Sequence, residues 1–232
     1  MDLIFRKRLY IPRADSFDDD FEGSYTKLAD QISKGITITY DGHSTNKGLI
    51  NDSKDALERA FVSCWTLKES ENMSLWKLFG GKNSIAIETT VKALKHELDK
   101  NCQNDYTQYL TKTIVKVDYI DHKSSDETLA TELMTSRLKP LTKKASAYSY
   151  EDEVRVILDH IGDNLDDLKE KLGAGVDLKV DTKELINKIY VSPEADNWFY
   201  NLVKSILNDL GMEEIMKWSN MRTTPKDEVF NE

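Results

Sequence analysis

Short apolar runs bounded by turn-forming residues recur along this chain, and they constrain its fold more than any other feature. Segments such as AFVSCWT, NSIAIETT and TIVKVDYID are rich in β-branched and aromatic residues, which is typical of half-buried or buried strands. Helical segments separate these runs without a regular strand–helix–strand order. The sequence therefore predicts an α+β fold with a central sheet, largely antiparallel or split, flanked by helices. Its strands are expected near residues 8–12, 60–65, 84–89, 114–120, 153–158 and 187–191.

One helix has the clearest boundaries, in the segment SPEADNWFYNLVKSILNDLG. Ser192 is its expected N-cap, Pro193 lies in its expected first turn, and Gly211 is expected to end it. Apolar residues then recur every four positions, which predicts a stripe that packs on the sheet. The stripe consists of Trp198, Leu202, Ile206 and Leu210. The expected core contains Val62, Ile85, Ile87, Val154, Val156, Ile189 and Trp198.

Length and charge bound the domain organisation and the partners. A chain of 232 residues can bury one sizeable core, and no linker is apparent, so a single domain is expected over residues 1–222 with a flexible acidic tail at 223–232. The net charge of −9 argues against broad nucleic-acid or membrane-surface binding. No apolar run approaches the about 18 residues of a membrane helix, and no signal-peptide hydrophobic region is present. Two cysteines are too few for a disulfide framework. A cytoplasmic protein without a membrane partner is expected.

The segment YSYEDEVRVIL, residues 148–158, combines a strand pattern with an unusual placement of charge. If it is one strand, its valines point to one face, and Glu151, Glu153 and Arg155 point to the other. The charged face then has two interpretations. It is either a solvated ladder of ion pairs, which contributes little stability, or the lining of a cleft in which a glutamate does chemistry.

Three polar motifs, taken together, resemble the bacterial domain-of-unknown-function family twenty-nine seventy-one. Its members carry FNDPFE, then a C-aromatic-S … MWxxYA … G block that runs into a strand, and a late W/Y-x-Y-E-x-E-x-R. The corresponding segments here are FDDDFEG (17–23), CWT (64–66) with LWKLF (75–79) and SIAIET (84–89), and YSYEDEVR (148–155) with Lys143 or Lys144 upstream. Order and spacing agree over about residues 5–192. The departures are Asp19 and Asp20 in the first motif and Leu75 in place of Met.

The layout of these motifs is similar to the ADP-ribosyltransferase core. The similarity implies an NAD-dependent ADP-ribosyltransferase or NAD glycohydrolase, such as a toxin or phage-defence effector, that uses NAD as co-substrate and an unknown acceptor. In that interpretation Glu153 stabilises the oxocarbenium-like charge on the reacting ribose, and Glu151 orients or deprotonates the acceptor. The implied NAD-binding residues are Arg8, Ser63, Thr66, Trp76 and Phe79, and no bound metal is expected.

A second interpretation is a metal-dependent phosphodiesterase or nuclease. The adjacent carboxylates at 18–20 offer hard oxygen ligands for a divalent cation, and Glu151 and Glu153 would complete the ligand set. Lys143 or Lys144 would then hold a phosphate.

A third interpretation is a non-enzymatic binding or interaction module. Trp76 and Phe79 would then pack in the core, Thr66 would cap a helix, and the polar clusters would form a recognition face. Geometry separates the three interpretations. A cleft that Glu153, Thr66 and Trp76 share and that is roomy enough for a dinucleotide favours the first. A metal-bridging distance between the acidic segment and Glu153 favours the second, and scatter of these residues favours the third.

Overall fold

The computed structural model describes residues 2–17, 19, 22–35, 38–40, 43–45, 49–101, 107, 110–162 and 165–222. Helices and several antiparallel sheets are mixed along the chain, so the predicted α+β class is confirmed. The chain forms two compact units. Unit 1 comprises Met1–Lys7, Lys68–Lys100 and Val180–Glu232, and unit 2 comprises Arg8–Leu67 and Asn101–Lys179. The predicted tail at 223–232 lies outside the described residues.

Twelve strands are described. They are β1 Arg8–Pro12, β2 Ile38–Tyr40, β3 His43–Thr45, β4 Ala60–Thr66, β5 Ile85–Glu88, β6 Leu110–Lys116, β7 Asp118–Ile120, β8 Lys143–Ala145, β9 Glu153–His160, β10 Gly175–Lys179, β11 Lys188–Val191 and β12 Met216–Trp218. The described α-helices are α1 Asp2–Arg6, α2 Lys27–Lys34, α3 Leu49–Arg59, α4 Met73–Leu75, α5 Val91–Asn101, α6 Glu127–Leu133, α7 Leu165–Leu172, α8 Thr182–Leu185 and α9 Asn197–Asp209. Each of the six predicted strand regions contains a strand.

The main sheet of unit 2 has the order β4–β9–β6 and is antiparallel throughout. Directly paired residues share a face of a sheet, so Cys64 lies beside Arg155, and Thr66 lies beside Glu153, on one face. The apolar half of that face packs in the core with residues of neighbouring segments. This core cluster consists of Ala14, Ala60, Val62, Leu141 and Ile157. Unit 2 also holds the two-stranded sheets β1–β10, β2–β3 and β7–β8.

The sheet of unit 1 has the order β12–β11–β5, with β11 and β5 antiparallel and β11 and β12 parallel. Helix α9 forms the crossover between the two parallel strands. The six predicted strand regions are therefore distributed over separate sheets, which is the split arrangement. Of the predicted core residues in these strands, Val62, Val154, Val156 and Ile189 are buried, while Ile85 and Ile87 are half-buried.

Two predictions for helix α9 are wrong. Trp198 is 59% exposed and Leu202 is also exposed, whereas Val203 and Leu207 are buried. A stripe stepped every four residues drifts by about 40° per step around a helix of 3.6 residues per turn, so its first members leave the core face. The N-cap is Asp196, and the predicted cap Ser192 instead stabilises the preceding turn, where its Oγ accepts a hydrogen bond from the Glu194 N–H.

Candidate functional site

The segment predicted as a strand over 148–158 contains a break in unit 2. Ser146–Glu151 forms a 3-10 helix, and Asp152 then adopts a left-handed conformation (φ 45°) before β9 begins at Glu153. Asp tolerates this conformation better than most residues, because its short polar side chain makes local bonds. The prediction that Glu151 and Glu153 lie on the same face of one strand is therefore wrong. Glu151 approaches from the end of a helix instead.

Strand β9 is buried on both faces. The side chain of Arg155 has no exposed surface and that of Glu153 is 3% exposed. β9 is the central strand of its sheet, and neighbouring segments cover the face that carries the charges. The interpretation of this face as a solvated ion-pair ladder is therefore wrong.

Five charged side chains form a buried group that we call the charge cluster: Glu22, Lys144, Glu151, Glu153 and Arg155. The ammonium group of Lys144 lies at its centre. Its Nζ is 2.7 Å from Glu151 Oε2, 3.1 Å from Glu22 Oε1 and 3.2 Å from Glu153 Oε2. Since an ammonium group has three N–H donors, these three carboxylates occupy its hydrogen-bonding capacity.

Arg155 forms the second connection between the carboxylates. Its Nε donates to Glu153 Oε1 at 2.7 Å, and its Nη2 lies 3.1 Å from both Glu153 Oε2 and Glu22 Oε1. Its Nη1 donates to the Leu141 carbonyl at 2.9 Å. Four of the five guanidinium N–H groups therefore have acceptors inside the protein.

The acceptors of the cluster are used unequally. Glu153 receives two bonds from Arg155 and one from Lys144, and the Cys64 thiol is a fourth donor beside it. A carboxylate accepts about four hydrogen bonds, so Glu153 is saturated. The Glu151 carboxylate, by contrast, has one protein donor among the described residues, Lys144, and its side chain is 11% exposed. Glu22 Oε2 is buried and has no donor in the described part of the chain.

The cluster has an excess of negative charge. Three carboxylates face two cations, which gives a formal net charge of −1. Burial alone would raise the pKa of Glu153, but the hydrogen bonds and charge of Arg155 outweigh it and hold that pKa below its ordinary value. Although Cys64 is exposed as a residue, protein atoms crowd its sulfur. This desolvation and the neighbouring Glu153 raise the pKa of the thiol, which therefore stays protonated.

The predicted NAD-binding residues of unit 2 lie in different surroundings. The Thr66 Oγ1 donates to the Glu151 carbonyl at 2.7 Å, so Thr66 supports the cluster rather than capping a helix. Ser63 pairs with Val156, on the other face of the sheet. Arg8 forms an exposed ion pair with Asp177 at 2.8 Å on the neighbouring strand β10.

The remaining two predicted NAD-binding residues belong to unit 1. Trp76 begins a π-helical turn, Trp76–Gly80, is nearly buried, and donates from Nε1 to Glu71 at 3.0 Å. Phe79, in the same turn, is 72% exposed. The turn borders a cavity of about 200 Å³, lined by Met73, Trp76, Lys77, Gly81, Ser192, Pro193 and Glu194.

The residues proposed for metal and phosphate binding are only partly brought together. Asp18 and Asp20 lie outside the described residues. Lys143 is occupied by Asp118 at 2.8 Å and Glu132 at 2.9 Å. Among described residues, the one group with ligand atoms close enough for a metal is His96, Glu97 and Glu184 of unit 1, within 4.8 Å of one another. Lys100 already lies 3.3 Å from Glu184 there.

Sequence reasoning gave Glu22 no role, although it is the last acidic residue of the first motif. Glu22 reaches the cluster from 133 positions away from Arg155. The sequence held one indication of such a role. Glu22 corresponds to the final Glu of the FNDPFE pattern, and the family resemblance groups that pattern with the motif that contains Glu151, Glu153 and Arg155.

Comparisons with protein-family models, curated proteins and solved structures gave no match. The resemblance to family twenty-nine seventy-one therefore stays a prediction. Within the described residues, every helix is too short or too polar to span a bilayer.

Proposed function

We propose that the chain is an NAD-dependent enzyme that transfers or hydrolyses the ADP-ribosyl group, with the charge cluster at its active site. One observation carries the proposal. Side chains from all three sequence motifs meet in the cluster: Glu22 from the first, Cys64 and Thr66 from the second, and the EDEVR segment from the third. Burying the five charged side chains of the cluster removes them from water, and this lowers the stability of the fold unless each charge has an opposite partner.

The chemistry requires a group that stabilises positive charge. When nicotinamide leaves, the bond from the ribose C1′ to the ring nitrogen breaks, and its electron pair goes to the nicotinamide. The sugar then carries oxocarbenium-like charge until water or another acceptor attacks C1′ and loses a proton. A buried site with a formal net charge of −1 favours this transition state, because fixed negative charge acts strongly where water is excluded.

The roles of the two glutamates differ from those implied by the resemblance. Glu153 has no acceptor capacity left, so we propose it as the positioning residue that fixes Arg155 and Lys144. Glu151 has acceptor capacity and lies at the solvent edge of the cluster. We therefore assign to Glu151 the contact with the reacting ribose.

Incubation of the purified full chain with NAD, followed by chromatography of released nicotinamide, tests the proposal. We expect turnover by the wild type and a loss of about a hundredfold or more in Glu151→Gln, because the amide keeps the shape and removes the charge. Glu132→Gln is the matched control, since Glu132 also binds a lysine of unit 2 but lies outside the cluster.

Two outcomes would contradict this scheme at different levels. A folded wild-type chain that neither releases nicotinamide nor binds NAD removes the proposed function. Turnover that is equal in the wild type and in Glu151→Gln removes only the assigned role of Glu151.

The phosphodiesterase interpretation has less support from the cluster. The three N–H donors of Lys144 each face a carboxylate, and Lys143 is held by Asp118 and Glu132. Lys144 therefore has no donor left for a phosphate, and Lys143, which has used two of its three donors, has a side chain that is only 4% exposed.

The interaction-module interpretation has one favourable observation. The described residues of unit 1 include six exposed large apolar side chains: Phe5, Leu78, Phe79, Val91, Trp198 and Leu202. Large exposed apolar residues are typical of binding surfaces when they form a contiguous patch. Sedimentation analysis of the wild type and of a Phe79→Ser, Trp198→Ser variant tests this role. Self-association that the variant loses would support it, and a monomer in both would count against a homotypic interface.

A further inference from the structure

We infer that Glu22 contacts the substrate directly and accepts a hydrogen bond from a ribose hydroxyl through its Oε2 atom. The inference rests on the proposed function, because it names the chemical group that the same cluster recognises. It adds a substrate-binding residue from the acidic segment at 17–23, which the resemblance left without a role.

The two oxygens of the Glu22 carboxylate are used unequally. Oε1 receives Lys144 and Arg155, each at 3.1 Å. Oε2 is shielded from solvent and has no donor among the described residues, and the side chain as a whole is 6% exposed. A buried carboxylate oxygen without a donor is costly, so this atom calls for a donor beyond the described residues, such as an ordered water or a ligand hydroxyl.

The Glu22 carboxylate is also held in place. The following residue, Gly23, has φ 70°, a conformation that favours glycine, and an added Cβ there would lie 2.6 Å from Leu57 Cδ2. The Ser53 hydroxyl donates to the Gly23 carbonyl at 2.7 Å, and the Glu22 N–H donates to the Asp19 carbonyl at 3.0 Å. The backbone of Glu22 and Gly23 is therefore held by hydrogen bonds, which pre-organises the Glu22 carboxylate for a ligand.

The balance of hydrogen-bond donors and acceptors in the cluster indicates the class of ligand group. The donors of the cluster are almost fully used, whereas Glu22 Oε2 and the second oxygen of Glu151 have no protein donor among the described residues. An anion such as phosphate would find like charge and few donors. A hydroxyl group, by contrast, donates to either carboxylate. In NAD the donors nearest the reacting carbon are the ribose hydroxyls, so these are the groups that the free acceptors fit.

Binding of ADP-ribose, the product that the enzyme does not cleave, tests the inference. Calorimetric titration compares ADP-ribose with its two monodeoxy forms, each lacking one hydroxyl of the terminal ribose. We expect the wild type to bind one deoxy form about tenfold to a hundredfold more weakly, as for loss of a charge-assisted hydrogen bond.

Two Glu22 variants give the decisive comparison. Glu22→Gln should reduce the discrimination between ADP-ribose and that deoxy form to a few-fold, and Glu22→Ala should abolish it. Glu132→Gln should discriminate as the wild type does. Thermal melts show which variants fold, and Glu22→Gln carries the test if Glu22→Ala does not fold.

The possible failures are distinguishable. Equal binding of ADP-ribose and both deoxy forms overturns the inference, and so does equal weakening of all three ligands by Glu22→Gln, which would mean that Glu22 only holds Lys144 and Arg155. Nicotinamide release without ADP-ribose binding overturns the Glu22 contact and leaves the proposed function standing. Absence of nicotinamide release and of all nucleotide binding overturns both.

Discussion

Replacing Arg155 with methionine tests whether the buried carboxylates of the charge cluster depend on its two cations for their stability. Methionine keeps much of the aliphatic stem of the side chain and removes the guanidinium. The substitution deletes three hydrogen bonds to carboxylates and one to the Leu141 carbonyl. It also leaves three buried carboxylates facing Lys144 alone, so the formal net charge of the cluster changes from −1 to −2.

The expected magnitude follows from these lost contacts. Hydrogen bonds to charged groups contribute about 1.5–3 kcal/mol each, so the three carboxylate bonds set an upper limit of several kcal/mol. The contributions are not additive, and the surroundings of the remaining carboxylates relax. Breaking a buried ion pair by removing one partner typically costs about 3–5 kcal/mol, and we expect Arg155→Met to lower the free energy of unfolding by that amount.

Urea denaturation followed by circular dichroism measures the loss, and hydrogen exchange of peptides covering β9 assigns it to unit 2. Arg8→Met is the matched control, because Arg8 is also an ion-paired arginine on a strand of unit 2 but is half-exposed. That variant should cost less than about 1 kcal/mol. A double variant with Glu153→Gln should be less damaging than the sum of its parts by about 1–3 kcal/mol.

The result that would refute this reasoning is a cost for Arg155→Met below about 1 kcal/mol, or equal to that of Arg8→Met. Either outcome would mean that water or protons already neutralise the carboxylates. The cluster would then lack the fixed charge on which the proposed chemistry depends.

Three further predictions concern acid, a tryptophan and a glycine. The lowered pKa of Glu153 means that its contribution to stability is present above the unfolded value of about 4.3 and is lost as pH falls through the folded pKa. The protection factors of the β9 amides, which compare their exchange rates with those of the unfolded chain at the same pH, should therefore fall below about pH 4; unchanged protection factors down to about pH 3 would contradict this. Trp76→Phe removes a hydrogen bond and should lower the free energy of unfolding, measured by thermal melts, by about 1–2 kcal/mol. Trp198→Phe, at an exposed site, should lower it by less than about 0.5 kcal/mol, and equal effects would contradict the burial of Trp76 and the exposure of Trp198. Gly23→Ala would place a Cβ 2.6 Å from Leu57 Cδ2 at a residue with positive φ, so it should lower the free energy of unfolding in urea by more than about 2 kcal/mol. Gly173 also has a positive φ but open space around it, so Gly173→Ala should cost about 1 kcal/mol. The reverse order would contradict the turn geometry.

The strands were largely predictable, because hydrophobic pattern and β-branched content determine where a chain can bury an extended segment. β1 has the predicted bounds, and Val154, Val156 and Ile189 are buried as expected. The pattern within one strand does not state which other strand it pairs with, since pairing depends on contacts between residues far apart in sequence. The distribution of the strands over separate sheets was therefore not predictable beyond the split alternative.

Helix α9 shows a different limit. Its sequence offers two apolar stripes with four-residue spacing: Trp198, Leu202, Ile206 and Leu210, and, one residue further on, Phe199, Val203 and Leu207. Periodicity alone cannot separate stripes that lie one residue apart. The structure buries Val203 and Leu207, which belong to the second stripe.

The candidate site shows why charges in a strand pattern are easily misjudged. A period of two predicts which side chains share a face, and Glu153 and Arg155 do share one. The period does not predict whether that face meets water. Burial of a charged face requires countercharges from other segments, and here Lys144 and Glu22 supply them. The left-handed Asp152 likewise escaped prediction, because no glycine indicates it.

The balance of hydrogen-bond donors and acceptors in the cluster supports a function in ligand binding more strongly than the net charge of the cluster does. If the cluster served only to stabilise the fold, a saturated pair of Glu153 and Arg155 would be sufficient, and a third carboxylate with a buried unmatched oxygen would add desolvation cost without a bond to offset it. Glu22 and Glu151 instead leave acceptors available beside a fully occupied Lys144. A cluster that keeps acceptors free while using up its donors is matched to a ligand that donates hydrogen bonds or develops positive charge. A reacting ribose does both.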